Sequence, residues 1–381
     1  MKKHLILLII FSSSILTGQI INFPDANLKD ALINHATKID INGDGEIQET
    51  EAKAFNLRIN IQSNNIENLA GLEYFINVDT LFAGFNNYSN VEFSTMPWLT
   101  HLDFSNNFSL ESLDINALTQ LKFLNLSSCW KLEDLDFSKN KELRELRLFG
   151  LNSDILELDL SQQDKLEYIQ VQSMDGLKEI QWGSTEKLQW IDISKTKISH
   201  LNYTELPALR FLYGRNTLLR EIDAWSNTAL EQVFCDNNSE LSMVNLKNGR
   251  NQILSDIDLT GNIKLKTICV DDVEAAKQNQ RWQIDDSAEY VDNCQTSTKE
   301  IKEGDISIYP VPADEYLNIS GIDQPIRIDV YNINGRLMQS MMAEGSTKTI
   351  DVSNLERGYY ILKISLDGQN IIFKRFVKLH Y

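Results

Sequence analysis

The stretch Leu99-Thr100-His101-Leu102-Asp103-Phe104-Ser105-Asn106-Asn107 decides the fold, because its pattern returns about every eleven residues through most of the chain. Units of the form Leu-x-x-Leu-Asp-Leu-Ser-x-Asn-x-x start at Leu99, Leu110, Leu121, Leu132, Leu143, Ile155, Leu166, Leu177, Leu188, Ile198, Leu209, Leu219, Leu230, Leu241, Leu254 and Leu265, with weaker units at Val78 and Tyr88. Apolar residues at positions 1, 4 and 6, with a small or amide residue often at 9, predict one short strand and one turn per unit. Two units then make a coil of about 22 residues. Each coil buries its apolar side only against its neighbours, so the array is a solenoid whose ends need covers.

Alternation along a strand sends positions 3 and 5 outward. On the side holding the units from Leu110, Leu132, Ile155, Leu177, Ile198, Leu219 and Leu241, position 5 reads Asp114, Asp136, Asp159, Gln181, Asn202, Asp223 and Asn245, a polar ladder. The other side shows Phe123, Tyr168, Trp190 and Phe211 at position 3, and Tyr213 and Phe234 at position 5. With strands about 4.7–4.9 Å apart these rings are expected to form a stripe about 20–25 Å long, flanked by Arg147 and Arg210. An exposed aromatic stripe is a candidate binding surface for a protein or a polysaccharide.

The repeat resembles the leucine-rich repeat family in its short bacterial form over roughly Ile66 to Val270, which implies a flattened solenoid with strands on two opposite sides. Ile66-x-x-Leu69-Ala70-Gly71-Leu72 is expected to help cover the first coil. Cys269 through Trp282 to Cys294 resembles the C-terminal cap of secreted members of that family, and Cys269, at outward position 5, is expected to form a disulfide with Cys294. Cys129 and Cys235 fall at inward positions and are expected to be free core thiols.

Ahead of the repeat, Asp40-Ile41-Asn42-Gly43-Asp44-Gly45-Glu46-Ile47-Gln48-Glu49-Thr50-Glu51 fits the twelve-residue EF-hand loop position by position. Oxygen donors stand at Asp40, Asn42 and Asp44, the Glu46 carbonyl at 7 and Glu51 at 12, with a glycine at 6 for the sharp turn. Asp25 is placed to cap a helix from Ala26 to about His35, and a short helix is predicted over Glu49 to Phe55. The expected cofactor is a structural Ca²⁺, held with the weak affinity of extracellular modules, about 10⁻⁴ to 10⁻³ M.

Behind the repeat, the polar run 295–305 loses the register, and two-residue alternation takes over, as in Ile326-Arg327-Ile328-Asp329-Val330, with Asn334-Gly335 and Asp367-Gly368 as hairpin turns. About seven strands are predicted. Ile308-Tyr309-Pro310-Val311-Pro312-Ala313, Val330-Tyr331-Asn332-Ile333-Asn334-Gly335-Arg336, Leu355-Glu356-Arg357-Gly358-Tyr359-Tyr360-Ile361-Leu362 and Phe376-Val377-Lys378-Leu379 resemble the C-terminal sorting domain of type IX secretion cargo. Val311 stands where that family usually has Asn, and His380-Tyr381 extend past its usual end. The resemblance implies an immunoglobulin-like β-sandwich and, as a partner, the type IX secretion machinery of a Gram-negative bacterium, with export across the outer membrane, removal of this domain and a product anchored at the cell surface or released.

Composition agrees with an exported protein. Lys2 and Lys3, the apolar run Leu5 to Phe11 and small residues to Gly18 read as a secretory signal, and no segment reads as a transmembrane anchor. The 381 residues carry 36 basic against 54 acidic side chains, so the formal charge is −18, falling to −20 without the two leader lysines. From Ile306 to Tyr381 eight acidic residues balance eight basic ones, so the excess lies in the body. An acidic body disfavours nucleic acid and anionic membranes. Five histidines and the absence of a Gly-x-Ser-x-Gly elbow, a His-Glu-x-x-His pair or a phosphate loop point away from an enzyme. The expected organisation is signal peptide 1–18, N-terminal cap with the EF-hand-like loop 19–65, leucine-rich repeat solenoid 66–270, C-terminal cap 271–294, linker 295–305 and sorting domain 306–381. The expected function is that of an adhesin-like surface-binding protein, the alternative being a structural envelope component with no discrete ligand.

Overall fold

The computed structural model describes residues 18–293 and 306–379, except 323–325, 334–335, 344–346 and 367–369. The expected leader, Cys294, the linker and both hairpin-turn dipeptides lie wholly or almost wholly outside the described residues. Two compact units are present: Met1–Ser199 with Ala208–Leu218 and Gln232–Asn237, and His200–Pro207 with Leu219–Glu231 and Asn238–Tyr381.

The first unit opens with a helix, Ala26–Ile33, capped as expected by Asp25. One Asp25 oxygen accepts from the amides of Asn27 and Leu28 at 2.9 and 3.2 Å, and the other accepts from Glu67 and Asn68 at 2.7 and 3.0 Å. One carboxylate thus starts the helix and pins it to the first repeat. A second helix, Glu49–Ala54, starts with a capping box between Gln48 and Glu51.

Nine three-residue or shorter strands then stack in parallel: Ile59–Asn60, Thr80–Phe82, His101–Asp103, Phe123–Asn125, Glu145–Arg147, Tyr168–Gln170, Trp190–Asp192, Phe211–Tyr213 and Gln232–Phe234. Partners lie 21 to 23 residues apart, which is one two-unit coil. The middle residue of each strand, from Leu81 to Val233, is buried, as position 4 requires. The sheet begins at Ile59, ahead of the boundary expected at 66, because Ile59 stacks in register on Leu81 although its own segment lacks the Leu-x-x-Leu spacing.

After each strand the chain turns through one left-handed residue at position 8. Ser63, Phe85, Asn106, Ser128, Gly150, Ser173, Lys195, Asn216 and Asn237 all have φ between 53° and 63°. The amides of the first eight donate to the neighbouring coil, as in Asn106 N to Ser127 O at 2.7 Å and Ser128 N to Phe149 O at 2.7 Å. At position 9, buried Asn107 donates to the Phe104 carbonyl of its own turn and buried Asn140 to the Ile115 and Leu118 carbonyls of the preceding coil. Cys129 takes the same position in its coil and is buried and free.

On the opposite side the strands do not form one continuous ladder. In the first unit they form two pairs, Asn90–Glu92 with Ser112–Asp114 and Glu157–Leu160 with Glu179–Trp182. Asp136 lies between these pairs in chain that forms no strand, and Asn202 lies in the second unit just before a short 3₁₀ turn.

The second unit holds the parallel strands Glu221–Asp223, Met243–Asn245, Thr267–Cys269 and Glu289–Val291, and the pair Asp256–Asp258 with Trp282–Gln283. Segment 271–294 therefore adds two strands and a helix, Val273–Gln278, to the stack. Trp282 closes it, buried and donating Nε1 to the Leu254 carbonyl at 3.0 Å. Cys269 stands at position 5, next to inward Ile268, and is 3 % exposed. Val291 pairs beside it, and the chain beyond is held by Lys247 Nζ on the Asp292 carbonyl, which covers that corner.

The same unit contains seven antiparallel strands in two sheets. Ser307–Tyr309, Tyr316–Ser320 and Thr347–Asp351 form one; Leu337–Ala343, Ile326–Asn332, Gly358–Leu366 and Asn370–Lys378, in that order, form the other. Their inward residues, among them Leu317, Ile328, Ile350, Leu362 and Phe376, make one core.

Candidate functional site

Along the nine stacked strands of the first unit the outward residues fall into two columns. Position 3 gives His101, Phe123, Glu145, Tyr168, Trp190, Phe211 and Gln232; position 5 gives Asp103, Asn125, Arg147, Gln170, Asp192, Tyr213 and Phe234. All six predicted rings lie in these columns, each half-buried.

The rings make one continuous stack. His101 lies over Phe123 at 6.2 Å between centroids. The Arg147 guanidinium sits 5.5 Å from the Phe123 ring and 5.4 Å from the Tyr168 ring, so it bridges a coil that has Glu145 in place of an aromatic residue. Tyr168 stacks on Trp190 at 5.4 Å, Trp190 on Tyr213 at 4.8 Å, and Tyr213 on Phe234 at 5.2 Å, with interplanar angles of 16 to 23°. Phe211 is tilted against Trp190 at 4.9 Å, with Arg210 over its ring. Arg215 ends the run 4.7 Å from Phe234 and bonded to Asp236 at 2.7 Å.

The sequence expectation thus needs amending in its ends. Arg147 stands inside the stripe rather than on its flank, and His101 and Arg215 extend it. The signal for both was present: His101 occupies the same register position as Phe123, and Arg215 lies two residues past Tyr213, on the same outward side of the chain.

Two polar features lie within the stack. Trp190 Nε1 is buried and has no hydrogen-bond partner among the described residues. Asp192 is 8 % exposed, and burial raises its pKa above the ordinary value in spite of the Ser194 amide at 3.0 Å. Burial likewise raises the Tyr168 phenol. Buried Cys129 is pushed up to about 12 and Cys235 is raised too, so neither is poised as a nucleophile.

The polar ladder has a local explanation. Asp114, Asp136, Asp159 and Asn245 each accept from the amide two residues on, at 2.8 to 3.1 Å, closing the turn that ends the strand. Asp103, Asn125 and Asp192 do the same on the aromatic sheet. Arg147, Tyr213 and Phe234 occupy that position without a side chain able to close the turn in this way.

The loop Asp40 to Glu51 is tightly curled. Asp40 accepts from Gly43 and Gly45 at 2.6 and 3.0 Å, Asn42 from Asp44 at 2.8 Å, and Asp44 from Glu46 at 2.8 Å. Gly43 and Gly45 supply the left-handed φ of 76° and 80° that the curl requires, and Ile47 is buried. Burial raises the Asp40 pKa, but the Gly45, Gly43 and Asp44 amides and the Lys38 charge outweigh it, and the carboxyl lies below its ordinary value. Glu51 reaches back to the amides of Ile41 and Asn42 at 2.8 and 3.2 Å. The donors are all oxygens and suit a hard cation. In this conformation, however, no three acidic, His or Cys side chains among the described residues converge as a metal site.

In the C-terminal strands, the sequence pieces quoted above meet in space. Ala313 pairs beside Lys378, its amide donating to the Val377 carbonyl at 2.7 Å, and the buried Lys378 Nζ bonds to Asp314. Tyr360 stacks on Phe376 at 5.5 Å and donates its hydroxyl to the Glu356 carbonyl at 2.8 Å. Residues 307–378 match the family model of the secretion system C-terminal sorting domain. The sorting domain implies export, to the cell surface or beyond it. No helix among the described residues is long and apolar enough to cross a membrane.

Other likenesses are partial. The β-agarase D of Zobellia galactanivorans is 42 % identical over 60 residues, which is 16 % of this chain and 12 % of the agarase. The chain thus matches only about an eighth of that enzyme. Among solved structures, the functional domain of InlJ from Listeria monocytogenes aligns over 95 % of this chain and 99 % of its own, at 17 % identity and TM-score 0.36. PorZ, a surface component of the type IX secretion system of Porphyromonas gingivalis, aligns over 22 % of this chain and 13 % of its own, at 16 % identity and TM-score 0.19.

Proposed function

We propose that this is an adhesin-like binding protein of a Gram-negative cell surface. The type IX machinery exports it by the sorting domain, and the aromatic sheet of its solenoid recognises an extracellular protein or polysaccharide. The observation that carries this is the stack from His101 to Arg215, where Arg147, Tyr213 and Phe234 stand in place of turn-closing Asp or Asn. Stacked half-buried aromatics and arginines are the composition of interface hot spots. The stack performs recognition rather than catalysis. Deleting 306–381 is expected to leave the repeat body in the periplasm; a truncated protein that still reaches the surface or the medium contradicts the export route.

Ca²⁺ is proposed as a structural cofactor of the N-terminal loop, held by Asp40, Asn42, Asp44, the Glu46 carbonyl and Glu51. To ligate, Glu51 gives up its bonds to Ile41 and Asn42 and turns into the loop. Calorimetry at millimolar calcium is expected to show binding and a chelator-sensitive melting temperature; no heat and an indifferent melt contradict it. The sorting domain is read as an immunoglobulin-like sandwich, and Cys269 as the disulfide partner of Cys294.

A further inference from the structure

A sheet edge presents unpaired backbone donors and acceptors, and proteins blunt such edges with brevity, proline, charge or bulges. The sorting domain has four edges, and three are guarded. Ser307–Tyr309 has three residues and runs into Pro310 and Pro312. Thr347–Asp351 turns Lys348 inward, 2 % exposed, with Nζ on the Ile322 carbonyl at 2.7 Å. Asn370–Lys378 carries Lys374, Arg375 and Lys378.

The fourth edge, Leu337–Ala343, reads Leu-Met-Gln-Ser-Met-Met-Ala, without charge or proline. Its one irregularity is a register shift opposite Val330 and Tyr331, which leaves Gln339 to Ala343 regularly paired on their inner side. Met338 and Met342 are 41 % and 45 % exposed. Among the described residues, nothing pairs with its outer side.

We propose that the strand Leu337–Ala343 pairs antiparallel with the same strand of a second copy across a two-fold axis, joining two sorting domains into one continuous sheet. Charge selects this occupant. A two-fold pair sets a strand against its own sequence, so a charged edge meets like charge, which is destabilising. Asn370–Lys378 would face its own Lys374 and Arg375, whereas Leu337–Ala343 faces only uncharged side chains. The domain's eight acidic and eight basic residues add no net repulsion, so the chain's excess negative charge lies on the repeat bodies. That repulsion is screened by salt.

The test is sedimentation of the chain from residue 19 to 381, sorting domain retained, over a concentration series at low and high salt, with hydrogen exchange read on the same samples. The expected result is a dimer strengthened by salt, with the amides of Gln339 to Ala343 gaining protection as concentration rises. Met342→Lys is expected to weaken it about tenfold or more, while Phe373→Lys, 57 % exposed on a guarded edge, leaves it intact. If Met342→Lys melts abnormally, Met338→Lys is read instead. A wild-type chain that stays monomeric overturns the proposal. So does a dimer indifferent to both methionine variants or equally lost with Phe373→Lys. A monomer whose export still depends on Met342 overturns it too, and gives the edge to the export machinery.

Discussion

The sheet that carries Tyr168 to Phe234 and the strands opposite it are built from the same eleven-residue unit, and they part at its fifth position. Opposite, Asp114, Asp136 and Asp159 spend their carboxylates on the turn two residues on, so their chemistry is used up in making the coil. On the aromatic sheet Arg147, Tyr213 and Phe234 make no such bond and instead join a stack that runs across successive coils. A repeat states the default for each position, and a departure along one face marks where something besides folding is selected. The proposed function accordingly makes the polar ladder scaffold and the aromatic sheet the binding surface.

The comparison breaks most visibly at Trp190. Its ring touches Tyr168, Phe211 and Tyr213, and Trp190→Ala is expected to cost about 2 kcal/mol of stability, below the full core value because the ring is half-buried. Asp136→Ala, losing one turn-closing bond, is expected to cost about 1 kcal/mol. Denaturant midpoints at constant slope measure both. Similar values for the two would mean that the stack does not hold together as described.

Exchanging the fifth-position residues sharpens it. Tyr213→Asn gives up two ring contacts of about 0.5–1.5 kcal/mol each and the hydroxyl's hydrogen bond to Gln232 at 2.8 Å, and gains a turn-closing side chain, so it should lose about 1–3 kcal/mol. Asp159→Tyr loses the bond to the Ser161 amide and gains no stack, so it should lose about 1 kcal/mol. If Asp159→Tyr leaves stability unchanged, turn closure is not what position 5 does on that side.

Acid separates the faces by sign. Backbone and side-chain hydrogen bonds from Ser138 and Ser161 hold the Asp136 and Asp159 pKa values below the ordinary 3.8. Their contribution is therefore present above that value and is lost as pH falls through the folded-state pKa. Burial raises Asp192 above 3.8, so its charged form costs stability at neutral pH. That cost is relieved as pH falls through the raised value and is gone below the ordinary one. Melting temperature against pH should show Asp192→Asn stabilised near neutrality and Asp136→Asn destabilised. The same sign for both contradicts the assignment of burial to one and hydrogen bonding to the other.

Much of this was legible in the chain. The eleven-residue spacing placed all six rings in two columns, because alternation and a constant coil length leave no freedom in register. What the spacing could not carry was the filling of gaps: Arg147 reads as a flanking charge until neighbouring coils bring Phe123 and Tyr168 to either side of it. Nor could it show that Asp136 and Asn202 fall outside strands, since pairing depends on the adjacent coil. Ile59 fell outside the expected boundary for a related reason, lying at an end where a segment outside the repeat completes the stack.

The central claim is that one face recognises and the other does not. Its most direct test exposes the exported repeat body, wild type, Trp190→Ala and Asp136→Ala, to a glycan array and to surface-protein capture under one set of conditions. The account predicts that Trp190→Ala loses about 2 kcal/mol or more, roughly thirtyfold, of whatever binding the wild type shows, while Asp136→Ala keeps it. Equal binding by all three, or selective loss in Asp136→Ala, would contradict it.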